Sequence, residues 1–97
     1  MMVKLTETAA RQVKDMIKRQ KLTGYGVRAA IVGGGLNGFE YTLSFCEEPS
    51  PSDHVFESYG IRMYVDPSSY VYLCEVTIDY VRDDGEAGFV FMNPRPN

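Results

Sequence analysis

Tyr25-Gly26-Val27-Arg28-Ala29-Ala30-Ile31-Val32, then Gly33-Gly34-Gly35-Leu36-Asn37-Gly38, then Phe39-Glu40-Tyr41-Thr42-Leu43-Ser44-Phe45-Cys46: two apolar runs divided by four glycines and an Asn-Gly pair decide how this chain is read. The second run alternates strictly. Phe39, Tyr41, Leu43 and Phe45 fall on one face and Glu40, Thr42, Ser44 and Cys46 on the other, the period of a half-buried strand. Asn-Gly between two such runs signals a hairpin, because both residues tolerate positive φ. The stretch therefore predicts two central antiparallel strands joined by a glycine-rich turn.

What the turn does has several readings. Gly33-x-Gly35-x-x-Gly38 has the spacing of a dinucleotide fingerprint, but that motif works by opening a helix whose N-terminus receives the pyrophosphate, and here a strand follows. A phosphate P-loop needs a lysine where Phe39 stands. The plainest reading is a flexible hairpin tip whose glycines serve backbone geometry. A further one is a concave nest formed by the amides of Gly33 to Gly35 around an anion.

Outward from the hairpin the elements are short. Thr6 can cap a helix running to about Gln20, with Glu7 in its first turn and Lys18, Arg19 and Lys21 near its last, all favourable to the macrodipole. Ala9, Ala10, Val13, Met16 and Ile17 form one apolar stripe at helical spacing. Downstream, Glu47 to Asp53 is a polar loop punctuated by Pro49 and Pro51. His54-Val55-Phe56-Glu57 and Ile61-Arg62-Met63-Tyr64-Val65 read as strands around Ser58-Tyr59-Gly60. Asp66 followed by Pro67 predicts a short helix to Leu73. Val76 to Val81 and Ala87 to Met92 are the last two strands, joined by the acidic turn Arg82-Asp83-Asp84-Gly85-Glu86. The expectation is an α+β fold: an N-terminal helix packed on a small mixed, folded β-sheet of about six to seven short strands.

Ninety-seven residues suit a single domain over 1–97. With 44% apolar and 12% aromatic residues, the composition is that of a folded protein. No apolar run approaches the roughly 18 residues of a membrane span, and Met1-Met2-Val3-Lys4 lacks the apolar core of a signal peptide, so no membrane association and a cytoplasmic location are expected. The net charge of -3 hides an asymmetry. Residues 1–28 hold Lys4, Arg11, Lys14, Lys18, Arg19, Lys21 and Arg28 against Glu7 and Asp15, so the rest is strongly acidic. A basic helix of this kind is either a solvated face or a docking surface for an acidic partner. Basic residues not interleaved with aromatics argue against nucleic acid as a partner.

The glycine-rich stretch and its flanks carry a resemblance that extends along nearly the whole chain. Val27 to Phe45, with Leu5-Thr6-Glu7-Thr8-Ala9-Ala10 before it and Pro49-Ser50-Pro51-Ser52-Asp53-His54-Val55-Phe56 and Gly88-Phe89-Val90-Phe91-Met92-Asn93-Pro94 after it, resembles the A-type iron–sulfur carriers, the HesB/IscA/SufA-like family. The resemblance implies the HesB-like pseudobarrel or sandwich fold, homodimers or tetramers, and an iron–sulfur assembly protein as partner. It also implies three cysteine ligands. One belongs at the position of Leu36, inside Gly33, Gly34, Gly35, Asn37 and Gly38; the other two form a Cys-Gly-Cys tail after Asn-Pro, whereas this sequence ends Asn93-Pro94-Arg95-Pro96-Asn97.

Other side chains offer little chemistry of their own. Cys46 and Cys74 stand outside any Cys-x-x-Cys pair and read as free thiols; a substitute metal site would have to combine them with His54. His54, the only histidine, sits at the start of a strand, where a solvent-facing role is the simpler reading. Asp79, Asp83, Asp84 and Glu86 lack the order of a calcium loop. Tyr59, Tyr64, Tyr70, Tyr72 and Tyr80 suit core or interface packing. No enzyme is expected and no cofactor. The function expected is a degenerate A-type domain, an auxiliary or protein-interaction module connected with iron–sulfur cluster biogenesis. The alternative is a carrier of iron or an iron–sulfur cluster whose cysteine tail is truncated or replaced by other ligands.

Overall fold

The chain runs β1 (Lys4–Leu5), α1 (Glu7–Gln20), β2 (Gly26–Gly35), β3 (Gly38–Cys46), β4 (His54–Ser58), β5 (Ile61–Val65), α2 (Pro67–Leu73), β6 (Thr77–Asp83) and β7 (Glu86–Met92) in the computed structural model, which describes residues 2–36 and 38–93. The strands form two mixed sheets, one ordered β1-β6-β7 and the other β3-β2-β5-β4. The α+β class expected from the sequence holds, with the strands divided between two sheets. β1 escapes a pattern reading because its two residues, paired in parallel with Thr77 and Ile78, are too few to show a period.

Thr6 caps α1 as expected. Its hydroxyl oxygen accepts the Ala9 N–H at 3.1 Å and donates to Asp79 Oδ1 at 2.6 Å, so one residue starts the helix and ties it to β6. A cap of this kind contributes about 1 kcal/mol. Lys21, in the left-handed region at φ 58, ends the helix. Ala9, Ala10 and Val13 are buried, while Met16 and Ile17 lie at the margin of the stripe.

The core gathers both sheets and both helices. Val3 and Leu5 before α1, Ala9, Ala10 and Val13 on it, Val27, Ala29, Met63 and Val65 on one sheet, Ile78 on the other and Leu73 of α2 form one buried cluster. The buried Leu5 N–H donates to Ser58 Oγ at 3.1 Å, linking β1 to the end of β4.

β3 is an edge strand, which corrects the expectation of two central strands. β2 alone is central, because β5 pairs with its other side in parallel through Val27–Met63 and Arg28–Tyr64. Beyond Arg28 that side of β2 is left to α2. Asp66 caps α2 by accepting the Ser69 N–H at 3.2 Å, and Ser69 Oγ then accepts the Ile31 N–H at 3.1 Å. The helix thus covers a backbone edge that would otherwise be open to pairing. Two donors from Ser68 and Ser69 hold the Asp66 carboxyl below its ordinary range. Among the described residues, no helix is long and apolar enough to cross a membrane.

Candidate functional site

The β2–β3 hairpin carries the residues on which a function would rest. Its ladder runs from Gly26–Cys46 at the base to Gly35–Gly38 at the tip, with a bulge between Gly33 and Gly35. Gly33 adopts φ +98, and a Cβ there would lie 2.7 Å from the Gly38 carbonyl oxygen, so the tip geometry requires glycine at this position. Gly33 to Gly35 close β2, with the bulge among them. The dinucleotide reading meets a strand, β3, in place of a helix. Asn37 lies outside the described residues.

Leu36 is fully exposed at the tip. Other apolar side chains also remain near half exposed: Val32, Phe39 and Tyr41 on the hairpin and Tyr72 on α2. Phe39 packs on Tyr72 with ring centroids 5.1 Å apart, and Tyr41 stacks on Phe91 of β7 at 4.9 Å. These ring contacts brace the hairpin against α2 and the second sheet while leaving the tip in solvent.

Leu36 does not fit a metal or cluster. An aliphatic side chain has no donor atom, whereas iron–sulfur ligation needs a thiolate or imidazole. Nor does the structure assemble the substitute set. Cys46 is at the base of the hairpin, eight strand residues from Gly38 and so roughly 27 Å along β3 from the tip. His54 is on β4, the opposite edge of the same sheet and three strand spacings away, roughly 14 Å. It is exposed, as expected, on the sheet face it shares with Phe56, and stacks on Tyr70 at 4.1 Å, while Cys46 projects on the other face. Cys74 ends α2, its N–H donating to Tyr70 O. Both cysteines are free thiols. Among the described residues no group of three or more His, Cys, Asp or Glu side chains could hold a metal ion. Pro94 to Asn97, which follow Asn93 where the resemblance places the tail, lie outside the described residues.

The base of the hairpin holds an arrangement that the sequence reading missed. Arg28, counted above with the basic N-terminal segment, is on β2 and is neutralised by Asp53 from the loop before β4. Its Nη1 donates to Asp53 Oδ1 at 3.0 Å, and Nη2 donates to Oδ2. Asp53 also accepts the Ser50 N–H at 2.7 Å, and its side chain is only 1% exposed. The Arg28 guanidinium, helped by that amide, holds the Asp53 carboxyl below the usual range despite its burial, and Asp53 raises Arg28 in return. The Cys46 thiol donates to Glu48 O at 3.1 Å beside the same arginine. Twenty-five residues separate Arg28 from Asp53, so no local spacing announces the pair; the only signal was an arginine inside an otherwise apolar strand run.

Comparison with known proteins places the fold and the hairpin in context. The sequence profile of a family described as "Iron-sulphur cluster biosynthesis" matches residues 1–97. The iron–sulfur cluster insertion protein ErpA of Ruthia magnifica is 37% identical over 89 residues, covering 92% of this chain and 76% of that protein. The crystal structure of Escherichia coli SufA, involved in biosynthesis of iron–sulfur clusters, superposes with a TM-score of 0.79 at 29% identity, covering 95% of this chain and 85% of SufA. IscA crystallised with a [2Fe-2S] cluster shares the fold, with a TM-score of 0.84 at 24% identity over 96% of this chain and 86% of IscA.

Proposed function

The chain belongs to the iron–sulfur cluster biosynthesis family, and we propose that it serves cluster biogenesis through protein contacts, without ligating a cluster at its hairpin tip. Leu36 carries this reading: it presents an aliphatic side chain, fully in solvent, where the resemblance places a cysteine. An exposed apolar side chain on a hairpin that also exposes Val32 and Phe39 suits a contact with another protein surface, either a second copy or an assembly partner. The activity is non-catalytic in this reading, and the compartment is the cytoplasm.

The carrier reading is kept because of one observation, the 37% identity to a protein named for cluster insertion. In that reading the cluster is cargo, and its thiolates come from a cysteine tail beyond Asn97 or from Cys46 or Cys74, which the fold sets apart from the tip. Anaerobic reconstitution with iron and sulfide separates the two. The contact reading expects sub-stoichiometric iron and no thiolate-to-iron charge-transfer band in the visible spectrum. A stoichiometric band that disappears in Cys46→Ser/Cys74→Ser establishes the carrier reading in its place.

A further inference from the structure

We propose that the cleft between the second half of α1 and the β4–β5 turn is a docking site for an acidic segment of a partner protein. The inference rests on the reading that this chain works by protein contact, and it assigns the partner's chemistry. The cleft is an open hollow of about 370 Å³ lined by Lys14 and Lys18 of α1, Gly24 and Tyr25 of the following loop, and Gly60 and Arg62 at the turn. Lys14 and Lys18 are one helical turn apart on the same face. Lys14 reaches across the hollow, its Nζ lying 3.9 Å from where a Cβ on Gly60 would sit.

What separates this cleft from an ordinary solvated face is the way α1 sorts its cations. Arg11 pairs with Glu7 and Arg19 with Asp15, each to a carboxylate one turn earlier on the helix. Lys14, Lys18 and Arg62, which line the cleft, have no carboxylate within 4.0 Å among the described residues. Even Glu57, opposite Arg62 in the β4–β5 ladder, forms no ion pair with it. Three cations from two elements, none of them in an ion pair among the described residues, line one hollow. The half-buried Ile17 and Tyr25 add an apolar shoulder beside them.

The shape of the field selects the occupant. The cleft's cations lie on a chain that is otherwise acidic: residues 29–97 hold eleven acidic side chains against three arginines, one of them Arg62. A long polyanion such as nucleic acid would run from the patch onto like-charged surface, and one tyrosine gives no row of stacking platforms. A short peptide segment with a few carboxylates and one apolar side chain matches both the extent of the charge and the shoulder. Such complementarity steers encounter and fixes orientation more than it adds affinity, so binding is expected to weaken sharply with salt.

The test is titration of the isotope-labelled full chain, in low-salt buffer, with a short peptide carrying several glutamates and one isoleucine. Amide shifts are expected at 14–18, 23–25 and 60–62, and they should be lost when the glutamates become glutamines. Lys14→Gln/Lys18→Gln/Arg62→Gln should weaken binding about tenfold, as three exposed charge pairs allow. Arg11→Gln, outside the cleft, should leave it unchanged. An amide spectrum of the triple variant that overlays the parent's outside the cleft shows that it folds.

Equal binding of the glutamine peptide, or an unaffected triple variant, overturns the proposal. So does tighter binding of a short RNA of matched charge at the same amides. Concentration-dependent shifts there without peptide would name a second copy, through its exposed Asp83, Asp84 and Glu86, as the occupant instead. The reconstitution experiment is read separately. Peptide failure with no iron band defeats this inference alone, whereas an iron band defeats the contact reading whatever the peptide does.

Discussion

The two ends of the β2–β3 hairpin are made from the same pair of strands and are built for opposite purposes. At the base, Gly26 sits under the ring of the fully buried Tyr64, and Arg28 is clamped by Asp53 with Cys46 alongside. At the tip, Leu36 touches solvent on all sides and the flanking aromatics are braced but half exposed. One end contributes stability through close approach and a desolvated ion pair. The other contributes little to folding and is free to vary in chemistry, the usual condition of a recognition surface carried on a rigid scaffold. If that division is real, substitutions at the base should cost folding energy and substitutions at the tip should not.

The largest effect is expected from Gly26→Ala. A Cβ at this position would lie 2.5 Å from the Arg62 carbonyl oxygen and 3.1 Å from the Tyr64 ring. The first of these is backbone in a paired strand, so the sheet itself must move, at a cost of about 3 kcal/mol. Urea unfolding followed by circular dichroism should show a lower midpoint at unchanged slope.

Asp53→Asn comes next, at about 2 kcal/mol near neutral pH, because it leaves the Arg28 guanidinium, largely withdrawn from water, without its charge partner. The pH dependence adds a second readout. Asp53 titrates below its unfolded value because Arg28 donates to it, so its contribution is complete above about pH 5. It fades as the pH falls through the unfolded value of about 4 towards the lower folded one. Asp66 follows the same course through its bonds from Ser68 and Ser69. Asp53→Asn should therefore flatten part, but not all, of the acid-side loss of stability. An acid limb as steep as the parent's would break the contrast between base and tip.

The base and the tip also differ in how far the sequence discloses them. The tip was legible because its signals are local: alternation from Phe39 to Phe45, Asn-Gly, and a glycine run at a fixed distance from Leu36. Both helix caps, Thr6 and Asp66, were legible for the same reason, each being set by neighbours within three residues. The base was not legible, because Arg28 meets Asp53 only after the chain has turned through β3 and the following loop. Strand order is non-local too. β3 reads as central from its own pattern, and only the parallel pairing of β5 with β2 makes it an edge. The cations lining the cleft were visible as a basic helix, but which of them lacked partners depended on Glu7, Asp15 and the distant Gly60 turn.

The smallest folding effect is expected from Leu36→Ser. The side chain makes no buried contact, so unfolding free energy should change by no more than about 0.5 kcal/mol. The same substitution removes the most exposed apolar group of the hairpin, and in the contact reading it should weaken association of the chain with a second copy or an assembly partner. Sedimentation velocity over a concentration series measures the first of these directly. A variant that is as stable as the parent but sediments as a smaller species would separate recognition at the tip from folding at the base. If Leu36→Ser instead lowers stability as much as Asp53→Asn does, the tip is part of the folded core's energetics and the division between the two ends fails.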